Sequence, residues 1–223
     1  MKLAQVPAAC GIHCRPYGRG DRSAVRGILH STGFLGEELA GKGLFEDKRL
    51  FALVNTEGYL RFQPSFCFVA VDDADGTVAG YIIGTGDSRR YEKTFRRRMY
   101  WRIAVRCFLV SWWRHPESFR HVLAWARAYS DAAEAFFDGY PAHLHINVLP
   151  TCQRRGIGEL LIRTFEATLR DAGVAGVHLI TSNRNSKALP FYAKLGYDVL
   201  AQKPGTFWQG VEGHVAIVFG KRL

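Results

Sequence analysis

The sequence predicts a mixed α/β fold: a mostly antiparallel sheet flanked by helices, with a helical insertion between the third and fourth strands. Three observations carry that prediction. Two β-rich runs, Phe66 to Val71 and Val78 to Ile83, flank the step Asp75-Gly76, the signature of an antiparallel hairpin. From Arg90 the apolar residues take up helical spacing, which holds to Val110 and resumes from Glu117 to Phe137 beyond the break at His115-Pro116. The stretch Ala142 to Arg170, AHLHINVLPTCQRRGIGELLIRTFEATLR, then reads as strand, two-glycine turn and amphipathic helix. A hairpin combined with such a right-handed crossover makes the sheet mixed.

Taken in order, Ile12 to Pro16 is expected as the first strand, with Asp21 placed to cap a helix through Val25, Ile28 and Leu29 to Gly33. Gly33, Gly36, Gly41 and Gly43 interrupt regular structure. A second helix is expected from Glu46 to Thr56, with Leu50, Leu53 and Val54 on one face and Gly58 as its stop. After the hairpin and the insertion, Ala142 to Leu149 is a strand, and Gly158 to Ala172 a helix with Leu161, Phe165 and Leu169 inward and Gly173 ending it. Val174 to Thr181 is the next strand, Ser186 to Leu195 a helix ended by Gly196, and Tyr197 to Leu200 and His214 to Phe219 are the last strands. No internal repeat is present, so residues 1–223 are expected to form a single domain with an insertion at about 87–139.

With 223 residues, 48% hydrophobic and 22% charged, the chain can bury a sizeable core and does not have a disordered composition. It has no run of about 20 apolar residues, and MKLAQVPAACGIHC lacks the apolar region of a signal peptide. A soluble, cytoplasmic protein without membrane association is therefore expected. Five scattered cysteines do not make a disulfide framework, and Cys10, His13 and Cys14 lack the second ligand pair that a metal site needs. The net charge of +10 is concentrated: ten Lys and Arg lie between Arg89 and Arg120, opposed only by Glu92 and Glu117. With Tyr100, Trp101, Trp112 and Trp113 interleaved, this stretch reads as a nucleic-acid or membrane-facing helix, a solvated face, a pocket wall for an acidic or phosphate-bearing acceptor, or a homodimer contact. Nucleic acid is the least expected partner.

Two constellations carry chemistry. In Gln153 to Gly158, QRRGIG, glycines allow close backbone approach to a ligand, and the helix start adds unpaired N–H groups and the positive end of its dipole. A pyrophosphate suits that cradle. No Lys-Ser/Thr follows Gly158, so the turn is not a P-loop, and its glycine spacing is not that of a dinucleotide fingerprint. In NSKALPFYAKLGY, Asn185, Ala188 and Tyr192 recur at helical spacing, with Tyr192 either a core aromatic or an aimed hydroxyl.

Together and in this order, these residues resemble the GCN5-related N-acetyltransferase (GNAT) superfamily. There, a Q/R-x-x-G-x-G/A turn after a strand holds the pyrophosphate of coenzyme A, and N-x-x-A-x-x-x-Y follows the next strand. The resemblance covers most of the chain outside Asp87 to Gly139. More narrowly, YPAHLHINVLPTCQRRGIG and the insertion are similar to bacterial proteins related to the acetyltransferase-like C-terminal domain of eukaryotic O-GlcNAcase, a domain regarded as a pseudo-acetyltransferase.

The resemblance implies a transferase that moves an acetyl group from acetyl-CoA to a primary amine, small molecule or peptide, in a ternary complex and without a metal. Its alternative is an acetyl-CoA-binding or peptide-binding module without turnover. It places the thioester carbonyl near the backbone N–H of Ile146 and the pantetheine along Val148 and beside Asn185. The pyrophosphate lies over the turn that Gln153 opens, across Arg154, Arg155, Gly156, Ile157, Gly158 and Glu159, and Tyr192 falls at the general-acid position.

A phenol of pKa about 10 protonates a thiolate of pKa near 8.5 at a cost of only ~2 kcal/mol. Deprotonating an alkylammonium at pH 7 costs roughly 4.6 kcal/mol, so a base is useful. His143 and His145, beside the thioester, have the chemistry for it. Strand alternation puts His143, His145 and Asn147 on one face and Leu144, Ile146 and Val148 on the other. The family's base positions match Ala142 and Leu144, which cannot titrate. A bulge near Ile146 would change which face meets the cleft; otherwise the histidines are either the base or hydrogen-bonded structural groups.

Overall fold

The structure, a computed structural model, describes residues 11–39, 42, 45–128, 134–205 and 213–223. Among them, seven strands form one sheet: β1 (Ile12–Pro16), β2 (Cys67–Asp72), β3 (Val78–Thr85), β4 (Ala142–Val148), β5 (Gly176–Ser182), β6 (Asp198–Pro204) and β7 (Val215–Arg222), in the order β1-β2-β3-β4-β5-β7-β6. Every neighbouring pair is antiparallel except β4 and β5. The mixed, mostly antiparallel sheet flanked by helices agrees with the expectation from sequence.

Alternation sorts the strand side chains to two faces. On one, Val69, Val71, Tyr81 and Ile83 lie under α1 (Arg22–Thr32), α2 (Lys48–Asn55), α3 (Glu57–Phe62) and α4 (Ser88–Arg106). α4 runs through a π-turn at Cys107–Ser111 into the short α5 (Trp112–Arg114), and α6 (Pro116–Ala128) follows. On the other face, Phe68, Ile82, Ala142, Leu144 and Leu179 pack against α7 (Ile157–Asp171) and α8 (Ala188–Lys194). Leu161, Phe165 and Leu169, one turn apart along α7, are fully buried, each contributing about 1.5–3 kcal/mol by transfer from water. Gly173 ends α7 at φ +69°, as its position predicts.

Several local expectations change. The helix expected from Glu46 to Thr56 is α2, but Gly58 does not stop it; Thr56 interrupts the chain at φ −124° and α3 begins at once. Gly58 lies inside α3, where a side chain would collide with Tyr91 and Phe95, so its role is room for α4 rather than termination. Asp21 precedes α1 without capping it, because its carboxylate accepts from Arg15 and from the Gly18 amide. The helix expected from Glu117 to Phe137 is α6 as far as Ala128, with a 3-10 turn at Glu134–Phe136. Residues 129–133 between them lie outside the described residues, as do Cys10, Gly41 and Gly43.

Two buried carboxylates tie the helices together. Glu57, fully buried at the start of α3, receives Arg22 and Arg26 of α1 and Arg61 of its own helix. Burial alone would raise its pKa; the hydrogen bonds and charges of Arg22 and Arg26 outweigh that and hold it below the usual carboxylate range. Asp47 caps α2 by accepting from the Leu50 amide at 3.0 Å, and it also receives Arg106 and Ser111 of the insertion. Among the described residues, no helix is long and apolar enough to cross a membrane.

The sheet opens at its centre. β4 pairs with β3 without a break from Gly80↔Val148 to Thr85↔His143. Its parallel pairing with β5 is confined to Ala142↔Val177 and His143↔His178, whereas β5 stays paired with β7 as far as Ser182. Beyond His143 the two parallel strands diverge, leaving one edge of each without a strand partner among the described residues. No bulge interrupts β4 near Ile146, so strand parity decides which side chains face which way.

Candidate active site

The gap between β4 and β5 is part of a cleft of about 1870 Å³ that passes from one face of the sheet to the other. Single-ligand pockets run to about 1000 Å³, so this cleft has room for a long cofactor and a second substrate. Its floor on the α7 side is the predicted turn. Gly156 stands at φ +79°, in the left-handed region that favours glycine, and α7 begins at the next residue. The first intrahelical bond there is Leu160 N–H to the Gly156 carbonyl, so the amides of Ile157, Gly158 and Glu159 precede the helical ladder. Gln153, Arg154, Gly156, Ile157, Gly158 and Glu159 all line the cleft.

The structure separates members of this turn that the sequence grouped. Gly158 is in ordinary helical conformation, and a Cβ there would come within 3.0 Å of the Phe191 ring; its smallness serves the packing of α7 on α8. Arg155 does not line the cleft, because its guanidinium bonds Asp72 of β2 at 3.1 Å. Arg154, at φ +62°, does face it. Gln153 is held by Lys187, whose ammonium donates to its side-chain oxygen at 3.4 Å. Asn185 precedes α8 rather than sharing a helical face with Tyr192; its side chain accepts from the Ala188 amide at 3.3 Å and lies so near Gly36 that a Cβ there would come within 3.1 Å of it.

Tyr192, on α8, is 7% exposed and packs edge-on or tilted against Phe191, Tyr197 and Phe219. Tyr192 is part of the cleft wall. Burial pushes its pKa above the ordinary phenol value. A thiolate leaving into the same walls is disfavoured for the same reason, so the small pKa gap between donor and leaving group is largely preserved.

The histidines stand on the opposite face of the sheet, and their hydrogen bonds fix their protons. Ser88 donates its hydroxyl proton to the Pro141 carbonyl at 2.7 Å, an oxygen that can only accept. Ser88 Oγ therefore accepts from His143 Nδ1 at 2.7 Å, which leaves His143 Nε2 as the acceptor of the Tyr59 hydroxyl at 2.7 Å. Tyr59 Oη then accepts from His145 Nε2 at 3.1 Å. The chain of bonds makes His145 the Nε2–H tautomer with a lone pair on Nδ1. His143 has both nitrogens engaged, whereas the His145 ring is exposed within the cleft and its Nδ1 has no partner among the described residues. Although the surface of His145 is open to the cleft, desolvation by the surrounding cleft walls, and then the nearby His178, pull its pKa down to about 4, and desolvation with both neighbouring imidazoles holds His143 well below 6.5. Both rings are neutral at pH 7.

Sequence reasoning missed Tyr59, Ser88 and His178. Tyr59 lies 84 residues from His143 and Ser88 lies 55 away, so no local spacing links them. His178 donates from Nδ1 to the Tyr140 carbonyl at 2.7 Å and stacks on Phe137. Its place between Val177 and Leu179 on an alternating strand marked it as facing away from the α7 core. His13 pairs with Asp73, and among the described residues no group of three His, Cys, Asp or Glu side chains is placed to hold a metal ion.

Comparison with known proteins bears on the whole of this arrangement. Residues 37–197 match the model of the acetyltransferase (GNAT) family. A curated relative, the uncharacterized N-acetyltransferase YjcF of Bacillus subtilis (strain 168), is 36% identical over 66 residues, 30% of this chain and 45% of that protein. The crystal structure of SsHAT superposes with a TM-score of 0.75 at 31% identity, covering 95% of this chain and 98% of its own. YncA of Salmonella typhimurium, a putative acetyltransferase solved with its cofactor acetyl-CoA, shares the fold at a TM-score of 0.56 and 15% identity, over 96% and 94% of the two chains. With the family model spanning most of the sequence and a solved relative matching along nearly its full length, this chain belongs to the acetyltransferase (GNAT) family.

Proposed function

We propose that the protein transfers the acetyl group of acetyl-CoA to a primary amine by direct attack in a ternary complex. The observation that carries this reading is the divergence of β4 from β5 directly beside the start of α7. The gap exposes backbone amides of β4 where a thioester carbonyl can be polarised, and the helix start offers unpaired N–H groups to a pyrophosphate. The acetyl-CoA bound by YncA, a protein of the same fold, supports this choice of cofactor. In this scheme the pantetheine runs along Ile146 and Val148 beside Asn185, and the pyrophosphate lies over the amides from Arg154 to Glu159. Arg155 contributes its backbone only.

The acceptor enters from the α1–α3 side, past Tyr59 and Tyr91. With a pKa near 4, His145 is a poor base for a free ammonium, so the amine enters neutral, at roughly 4.6 kcal/mol for an ordinary alkylamine at pH 7. Its nitrogen attacks the carbonyl carbon, and His145 Nδ1 takes the amine proton as the C–N bond forms. The oxyanion meets the Ile146 amide, the C–S bond breaks, and Tyr192 on the opposite side gives its proton to the departing sulfur. His143, enclosed by Tyr59 and Ser88, positions this system rather than acting as base.

The test is titration calorimetry of acetyl-CoA against the unaltered protein and against Gly156→Asp, whose carboxylate sits at the anion site. Saturable binding that the variant weakens at least about tenfold is expected. Release of free thiol with a panel of amines then separates turnover from a binding module without catalysis. No detectable acetyl-CoA binding by the unaltered protein refutes the proposal.

A further inference from the structure

Among the described residues, the exposed large apolar side chains gather mainly on the outer face of the insertion. Met99, Ile103, Cys107 and Ser111 turn inward and are buried. On the other side Trp101, Val105, Phe108 and Trp112 follow one another at one-turn spacing, with Leu109 and Trp113 beside them. They are 54%, 46%, 76%, 58%, 60% and 60% exposed, in that order. Apolar side chains this exposed and contiguous mark a contact surface.

The charge around this ridge selects its partner. One turn before Trp101 the same face carries Arg97 and Arg98, both exposed, and Arg114 closes the other end. Arg102 and Arg114 lie over the Trp101 and Trp113 rings at 4.5 and 5.5 Å. Arg90, Lys93, Arg97, Arg98, Arg102 and Arg114 have no carboxylate partner among the described residues, whereas Arg106 and Arg120 are paired within the fold. A two-fold contact with a second copy would set these cations against themselves. Aliphatic Val105 and Leu109 give nothing for a nucleic-acid base to stack on. A helix with Trp, Phe and Leu projecting between unpaired Arg side chains matches the chemistry of an anionic bilayer interface, where aromatic rings and guanidinium groups sit at headgroup depth.

We propose that the α4–α5 ridge docks the protein onto an anionic lipid surface, lying in the interfacial plane with Trp101, Phe108, Leu109 and Trp112 inserted and the surrounding cations on the headgroups. The expectation of no membrane association rested on spanning length, which a helix lying in the interface does not need.

The experiment is co-sedimentation of the full chain with vesicles of phosphatidylcholine alone or containing phosphatidylglycerol, together with tryptophan emission. Binding to the anionic vesicles only, a blue shift, and weakening by salt are expected. The variant Trp101→Ser/Phe108→Ser/Trp112→Ser should partition at least about tenfold less, with melting temperature and acetyl-CoA affinity unchanged. Should that variant fail to fold, Arg97→Glu/Arg98→Glu gives the same readout from exposed positions. Absence of binding by the unaltered protein, or undiminished binding by a folded variant, overturns the proposal. Self-association abolished by the same substitutions, or oligonucleotide binding in place of vesicle binding, overturns it in favour of those partners.

Discussion

The two glycines of the cofactor turn should respond differently to the same substitution. Gly156→Ala forces a Cβ into a backbone at φ +79°, which costs about 1–2 kcal/mol. The alanine also restricts the unfolded chain, which returns about 0.4–1 kcal/mol, so the net loss is close to 1 kcal/mol. For a chain of this size that lowers the melting temperature by about 2–4 °C. Gly158→Ala meets no φ penalty and gains up to about 1 kcal/mol of helix propensity, less so in the first turn. Against this stands the Phe191 ring, 3.0 Å from the new methyl, which must move by a few tenths of an ångström. Phe191 is only partly buried and borders the cleft, so it can move, and a stability change within about 1 kcal/mol of zero is expected. Differential scanning calorimetry of both variants, with acetyl-CoA titration of each, decides the matter. A Gly158→Ala variant markedly less stable than Gly156→Ala would refute the separation of a conformational from a packing glycine.

Four further outcomes are expected. Tyr192→Phe should lower the acetyl-transfer rate at least about tenfold while acetyl-CoA affinity stays within about twofold; a rate within about twofold of the unaltered protein removes the tyrosine as acid. Tyr59→Phe should lower kcat roughly tenfold with little change in KM for acetyl-CoA. It should also convert the ¹⁵N signature of His145 from the Nε2–H tautomer to a mixture, and an unchanged signature contradicts the hydrogen-bond chain.

Because His143, His145 and His178 are held below 6.5 when folded, the unfolded chain binds more protons below that pH. Stability is therefore full above pH 6.5 and is lost as pH falls toward about 4. For His145 the upper bound is about 3.4 kcal/mol, reduced by screening from cleft water to roughly 1–2 kcal/mol. A urea midpoint that does not fall between pH 7 and pH 5 refutes neutral histidines. Glu57→Gln should destabilise by about 2–3 kcal/mol, below the 3–5 of a dry pair because its guanidinium partners are 36–39% exposed. Chemical denaturation measures it, and a change under about 0.5 kcal/mol removes Glu57 as the tie between α1 and α3.

The features legible before folding are those local in the chain. The Asp-Gly step set the β2–β3 hairpin, the apolar spacing of Leu161, Phe165 and Leu169 set α7, and the order of glycine turn, asparagine and tyrosine pointed to the family. These signals lie within a few residues of one another, where backbone conformation and periodicity act. Strand parity likewise placed both histidines on one face before any tertiary contact was known. The remaining features depend on long-range contacts. Only the divergence of β4 from β5 opens a cleft, and it depends on pairings between residues more than 30 positions apart. Gly58 reads as a helix stop until α4, packed over it, shows that it makes room for Tyr91 and Phe95. His143 and His145 are equivalent by sequence. They part company because Tyr59 and Ser88, brought from two other helices, close both nitrogens of one ring and leave Nδ1 of the other facing the cleft. A proton's place depends on hydrogen-bond partners within about 3 Å, and folding rather than chain order chooses those partners.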